Sequence, residues 1–176
     1  EVQTRKCSAC NKSETRNIGK KLAPKATLNA STVTLKVKES TSRLKVTGLA
    51  KGDSVKSWKS SNSKIFTVRG KSNGTCKITG KKRGTAKLQI TLASGLKKTV
   101  KVRVQTAAVK TSKITVSKNV TVRKGKRVTL KPVVTPFTSR QKVTYTSSNK
   151  KIATVSSKGV VTGKKKGTVK ITVKSG

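Results

Sequence analysis

The sequence contains no histidine and no methionine, and its only acidic residues are Glu1, Glu14, Glu39 and Asp53. General acid–base catalysis by paired carboxylates and nucleophilic catalysis through a histidine both require groups that this chain scarcely has. It is therefore expected not to be an enzyme, and no cofactor is expected. Aromatic residues are limited to Trp58, Phe66, Phe137 and Tyr145. Sequence-tolerant binding of single strands relies on stacking aromatics, so nucleic acid is expected to bind only non-specifically. Neither a recognition helix nor a zinc finger is legible. No apolar run approaches the roughly 20 residues of a membrane span, so membrane insertion is not expected. The opening EVQTRKCSAC has the form of neither a signal nor a transit peptide, and the chain reads as an excised piece of something longer.

What the chain has in abundance is positive charge. Lysine and arginine number 44 against 4 acidic residues, a formal net charge of +40. Self-repulsion on this scale favours an anionic partner, such as an acidic glycan, a polyphosphate, nucleic acid or an anionic surface.

Period-two alternation dominates the pattern. Val33, Leu35 and Val37 alternate with Thr32, Thr34 and Lys36, and the same rhythm recurs at Ala86, Leu88 and Ile90, at Val100, Val102 and Val104, and at Val169, Ile171 and Val173. This is the signature of half-buried strands with one apolar face. Turns are expected at Lys51-Gly52-Asp53, Asn73-Gly74, Ser94-Gly95 and Lys124-Gly125, and their spacing fits a small all-β sandwich. No segment shows convincing helical periodicity.

The chain also repeats itself. WKSSNSKIFTV (Trp58–Val68) aligns with YTSSNKKIATV (Tyr145–Val155), and TGKKRGTAKLQIT (Thr79–Thr91) aligns with TGKKKGTVKITVK (Thr162–Lys174). Self-similarity of this length implies two copies of one structural unit. The order aromatic-x-S-S-N-x-x-I-x-x-V, a glycine-containing turn, then [IV]-T-G-K-K-x-G-T and an alternating strand resembles the bacterial Ig-like domain of group 2. The second copy carries VTLKPVVTP (Val128–Pro136), TSSNKKIATV and GVVTGKKKGTVKITV in the family's order. The first departs from it, with Phe66 at the position of Ala153 and RGKSNGTCKITG longer than SSKGVVTG.

The resemblance implies an all-β chain of two tandem Ig-like sandwiches, at 26–106 and 111–176, joined by TAAVK (Thr106–Lys110) and preceded by a short irregular segment at 1–25. It also implies a bacterial, extracellular or cell-surface setting, where members of this family serve as stalks, spacers or adhesive modules. The first copy continues after KLQITLASG into a closing strand, LKKTVKVRVQ, whereas the second stops at KITVKSG. A sandwich without its last strand has an open edge, which invites self-association; truncation of the piece is the plainer reading.

Cys7 and Cys10 form CSAC, and Cys76 stands alone in a strand of the first copy. A zinc site needs four ligands, so Cys7 and Cys10 supply at most half of one and no metal is expected. They are candidates for a local disulfide, for a reduced pair, or for half of a longer motif. EVQTRKCSACNKSETRNI resembles the second half of a short Cys-containing repeat that precedes Ig-like modules in surface proteins of gut Firmicutes. Cys76 reads as a buried small hydrophobe.

The cationic turns are the candidate binding residues: Lys81, Lys82 and Arg83 in the first copy, Lys164, Lys165 and Lys166 in the second, supported by Lys124, Lys126 and Arg127. Glycines around GKKKGT suggest backbone N–H groups approaching an anion, set against a solvated turn. Lys101 with Arg103, and Lys170 with Lys174, are expected on exposed sheet faces. The partners expected are anionic cell-wall polymers or acidic host glycans. The alternatives are a purely structural spacer, a strand-exchanging filament subunit, or an accessory region of a larger surface enzyme.

Overall fold

The computed structural model describes residues 2–10, 13–17 and 23–176. The N-terminal segment expected to be irregular contains a hairpin instead: β1 (Val2–Lys6) runs antiparallel to β2 (Ser13–Asn17). Its sequence has no apolar alternation to announce a strand, and the two strands pair from Val2 opposite Asn17 to Lys6 opposite Ser13.

The first copy holds β3 (Thr27–Leu28), β4 (Thr32–Lys36), β5 (Ser40–Thr41), β6 (Val46–Thr47), β7 (Val55–Ser60), β8 (Phe66–Gly70), β9 (Cys76–Gly80), β10 (Gly84–Leu92) and β11 (Lys97–Gln105). One sheet has the order β4-β11-β10-β7, with β4 parallel to β11 and the other pairs antiparallel. The second sheet has the order β5-β9-β8, flanked by a short β3-β6 ladder. Alternation fixes which side chains meet between them. Val33, Leu88, Ile90, Val100 and Val102 come from the first sheet, and Phe66 and Ile78 from the second; all are fully buried. Val37, expected as the last inward residue of its strand, lies in the turn after β4 and is half-buried.

The second copy holds β12 (Lys113–Thr115), β13 (Arg127–Thr129), β14 (Val133–Thr135), β15 (Val143–Ser147), β16 (Ala153–Val155), β17 (Val160–Gly163) and β18 (Ile171–Ser175). Its ladders are β12-β14, β13-β17-β16 and β15-β18. Its core is thin: Leu130, Ala153 and Val161 are buried, while Val169, Ile171 and Val173 are only partly so. Two causes are visible. Ala153 replaces the bulk of Phe66, and among the described residues no strand corresponds to β11. Residues 119–123, which match β4 in sequence, consequently lie outside any ladder. An open groove of about 380 Å³ remains, lined by Val120 and Val122 on one side and by Ile171 and Val173 on the other.

The repeated SSN motif builds the same corner twice. The Ser61 N–H donates to the Lys87 carbonyl and its Oγ accepts the Lys87 N–H; Ser148 does the same with Lys170. The Asn62 and Asn149 side chains accept the N–H groups of Lys64 and Lys151, the local turn that favours asparagine here. This corner delivers Ile65 and Ile152 to the cationic turns.

The two copies touch. Phe137 packs against the first core, and its carbonyl accepts a 2.7 Å hydrogen bond from Arg43. The Thr138 hydroxyl donates to the Thr34 carbonyl, and Arg140 lies 4.0 Å from Glu39.

Candidate anion-binding surface

The two GKK turns have a shared construction. The N–H groups of Lys81 and Lys82 both donate to the Ile65 carbonyl, and those of Lys164 and Lys165 to the Ile152 carbonyl. These two amides of each turn are therefore engaged, and the exposed side chains of the turns present their charge to solvent. The closing glycine serves packing: a Cβ on Gly84 would stand 2.8 Å from Ile65 Cδ1, and one on Gly167 3.0 Å from Ile152 Cδ1. Lys81, Lys82, Arg83 and Lys164, Lys165, Lys166 are all exposed.

The turns differ in their neighbours. In the second copy, the Gly125 N–H donates to the Gly163 carbonyl and the Gly163 N–H to the Lys126 carbonyl, and Lys124 bridges to Gly163. Exposed Lys124, Lys126 and Arg127 are thereby set beside the Lys164–Lys166 turn. The first copy has Val37, Glu39 and Ser40 at the matching positions, none of them a cation, and the Glu39 carboxylate lies 4.0 Å from Arg140. The six cations at the end of the second copy thus form the denser cluster, drawn together across 36 or more residues of sequence.

A second cationic surface lies on the open face of β4-β11-β10-β7. Lys101 and Arg103 point outward as their alternation requires, but the sequence alone did not show what faces them. Register places Lys87 directly opposite Lys101, Thr85 opposite Arg103, and Lys59 opposite Gln89. Like charges in direct cross-strand register are unfavourable. Lys87 and Lys101 line an open depression of about 590 Å³ together with Ser31, Ser61, Thr85 and Thr99. The β10-β11 register sets this pairing, and the turn Ala93-Ser94-Gly95 that joins the two strands is its signal in the sequence.

The acidic groups of the first copy are engaged elsewhere. Asp53 accepts hydrogen bonds from the Ser94 hydroxyl (2.7 Å) and from the Ser94 and Ser54 N–H groups, and the Ser94 hydrogen bond holds its carboxyl below the usual range. Cys7 and Cys10 are exposed thiols at the turn between β1 and β2, and a hydrogen bond between their side chains holds Cys7 below the ordinary thiol range. Among the described residues no three metal-ligating side chains gather. Cys76 is buried and donates to the Leu44 carbonyl, and burial pushes its thiol up to about 11. Trp58 and Tyr145, at equivalent positions of the repeat, are partly buried at the margins of the two cores.

With this geometry in place, residues 109–176 match the family described as Bacterial Ig-like domain (group 2). The second copy is a bacterial Ig-like domain. Several solved structures align with most of the chain at low identity and with TM-scores below 0.5. Domains 4–9 of the surface layer protein SbsC are 20% identical, with a TM-score of 0.42, over 94% of this chain and 31% of that one. SbsC domains 4 and 5 are 24% identical, with a TM-score of 0.38, over 88% and 92%. A C-terminal 282-residue fragment of intimin, solved with the intimin-binding domain of its translocated receptor, is 18% identical, with a TM-score of 0.30, over 85% and 58%. The chain spans 24% of the S-layer protein rSbsC(31-844). No curated protein matches it. An Ig-like domain of this group points to a structural module of bacterial surface proteins rather than to an enzyme.

Proposed function

We propose that these Ig-like sandwiches form a non-catalytic, extracellular module of a bacterial surface protein, a stalk or adhesive segment held by its charge to anionic wall polymers or acidic glycans. The observation that carries this reading is the cluster of Lys124, Lys126 and Arg127 beside Lys164, Lys165 and Lys166. All six are exposed, and the Ig-like fold has no need of so many cations at one end. Polyanions bind such surfaces by releasing counterions, so affinity falls steeply with salt. The test is binding to purified Gram-positive walls, with and without their anionic polymers, and to a heparin-like glycan, across a salt series. Binding that vanishes with the polymers and weakens steeply with salt supports the reading. Absence of binding at near-physiological salt would reduce the chain to a spacer.

The groove beside β18, open among the described residues, favours a second reading, in which the second copy pairs along it with an extended strand, from a continuation of this chain or from another. Main-chain pairing with an open edge supplies affinity, and pockets for alternate side chains supply selectivity. A peptide copying Leu96–Gln105 fits this description, because that segment fills the equivalent place in the first copy. It should raise the melting temperature of the second copy, and a peptide of the same composition without alternation should not. Equal effects of the two peptides would remove the strand-acceptor reading.

A further inference from the structure

The depression on the open face of β4-β11-β10-β7 has a more specific chemistry than the cationic turns. Lys87 and Lys101 stand in direct register across β10 and β11, an arrangement that folding alone disfavours. Hydroxyl-bearing Ser31, Ser61, Thr85 and Thr99 surround them. The Ser61 Oγ already accepts the Lys87 N–H at 2.9 Å, which leaves its own hydrogen free to donate outward. Among the described residues, no carboxylate and no arginine lines the depression.

That donor set discriminates among anions. A lysine ammonium is a compact point charge with three rotatable donors, whereas the arginine fork matches a planar carboxylate. Two ammoniums within a ring of hydroxyl donors suit an anion whose acceptor oxygens project in several directions.

We propose that this depression is a subsite for tetrahedral oxyanion esters, the phosphodiester or sulfate groups of an anionic polymer; the proposal rests on the polymer-binding reading above and names the chemistry it prefers. Lys87 and Lys101 flank the oxyanion while Ser61 and Thr99 donate to its oxygens. Arg103, two residues along β11 from Lys101 on the same face, extends the track by about 7 Å for a neighbouring charge of the polymer.

The test uses the full chain and three oligomers of matched length and charge: a polyol phosphodiester, a sulfated oligosaccharide and a carboxylated oligosaccharide. Affinities are measured for the wild type, for Lys87→Thr/Lys101→Thr, and for the comparator Lys164→Thr/Lys165→Thr/Lys166→Thr, with amide resonances followed in the wild type. The expected result is resonance shifts at Lys87, Thr99 and Lys101 with one or both tetrahedral esters. The double variant should lose about tenfold or more in affinity for that ester, against a smaller loss for the carboxylate, and the two ester arms identify which source is preferred. Unchanged ester binding in the double variant, or equal losses for all three oligomers, would overturn the subsite and leave a diffuse polyanion field intact. Failure of the wild type to bind any oligomer would overturn the polymer-binding reading and the subsite with it.

Discussion

Val33 and Val120 occupy the same position of the two copies, yet Val33 is fully buried while Val120 is 43% exposed. The difference comes from β11, which pairs in parallel with β4 and places Val102 beside Val33; nothing described lies in that place next to residues 119–123. Truncating a buried valine removes transfer free energy and leaves a cavity. Val33→Ala should cost about 2 kcal/mol, and Val120→Ala less than about 0.5 kcal/mol. Denaturant unfolding of each variant checks both values, and near-equal losses would mean that the groove is closed in solution.

The facing pair Lys87 and Lys101 sets stability against binding. Lys101→Thr removes a like-charge contact and introduces a strand-favouring residue, and should stabilise the first copy by about 0.2–1 kcal/mol. Because both ammoniums are exposed, the gain should shrink as salt rises. Thermal unfolding at low and high salt measures this. A loss of stability would show that Lys101 packs usefully with its stem.

Lys38 holds a left-handed backbone, with φ of 67°, at the place where the second copy has Gly125, with φ of 74°. The two N–H groups make equivalent bonds, to the carbonyls of Gly80 and Gly163. A side chain in this region costs roughly 1–2 kcal/mol, partly offset by the greater freedom of glycine in the unfolded chain. Lys38→Gly should therefore stabilise the first copy by about 0.5–1 kcal/mol, and Gly125→Lys should destabilise the second. Chemical denaturation of the two variants tests the pair of opposite signs.

Asp53 ties the turn after residue 50 to the β10-β11 turn through Ser94. Its folded pKa lies below the ordinary 3.8, so the folded state binds this proton less readily than the unfolded state does. The stabilisation is present above the unfolded value and is lost as pH falls through the folded one. Wild type should lose stability in that acid window, whereas Asp53→Asn should show a shallower dependence on pH. Identical acid profiles would show that the carboxylate contributes nothing by its charge.

Much of the architecture was legible because alternation is a local property. Val100, Val102 and Val104 are inward in β11 as their spacing demands, and the four expected turn glycines all carry positive φ. The pattern failed where a partner was needed. Val169 sits outside β18 with a correctly alternating sequence, and β1 and β2 pair with no apolar alternation at all. The candidate site divided in the same way. Lysine-rich turns announce themselves, whereas the association of Lys124, Lys126 and Arg127 with Lys164–Lys166 depends on a backbone bridge between Lys124 and Gly163.

The sequence by itself determined an excess of 40 positive charges, a repeated strand-and-turn unit, and the inward or outward face of each alternating residue. Those follow from composition and from the two-residue period of a strand. Only the tertiary structure decided that Lys87 faces Lys101, that the two N–H groups at each cationic turn are already engaged, and that the second copy keeps an open groove. Each of these depends on register or on the presence of a neighbouring strand, and hydrogen-bond pairing between distant segments, not local pattern, sets both.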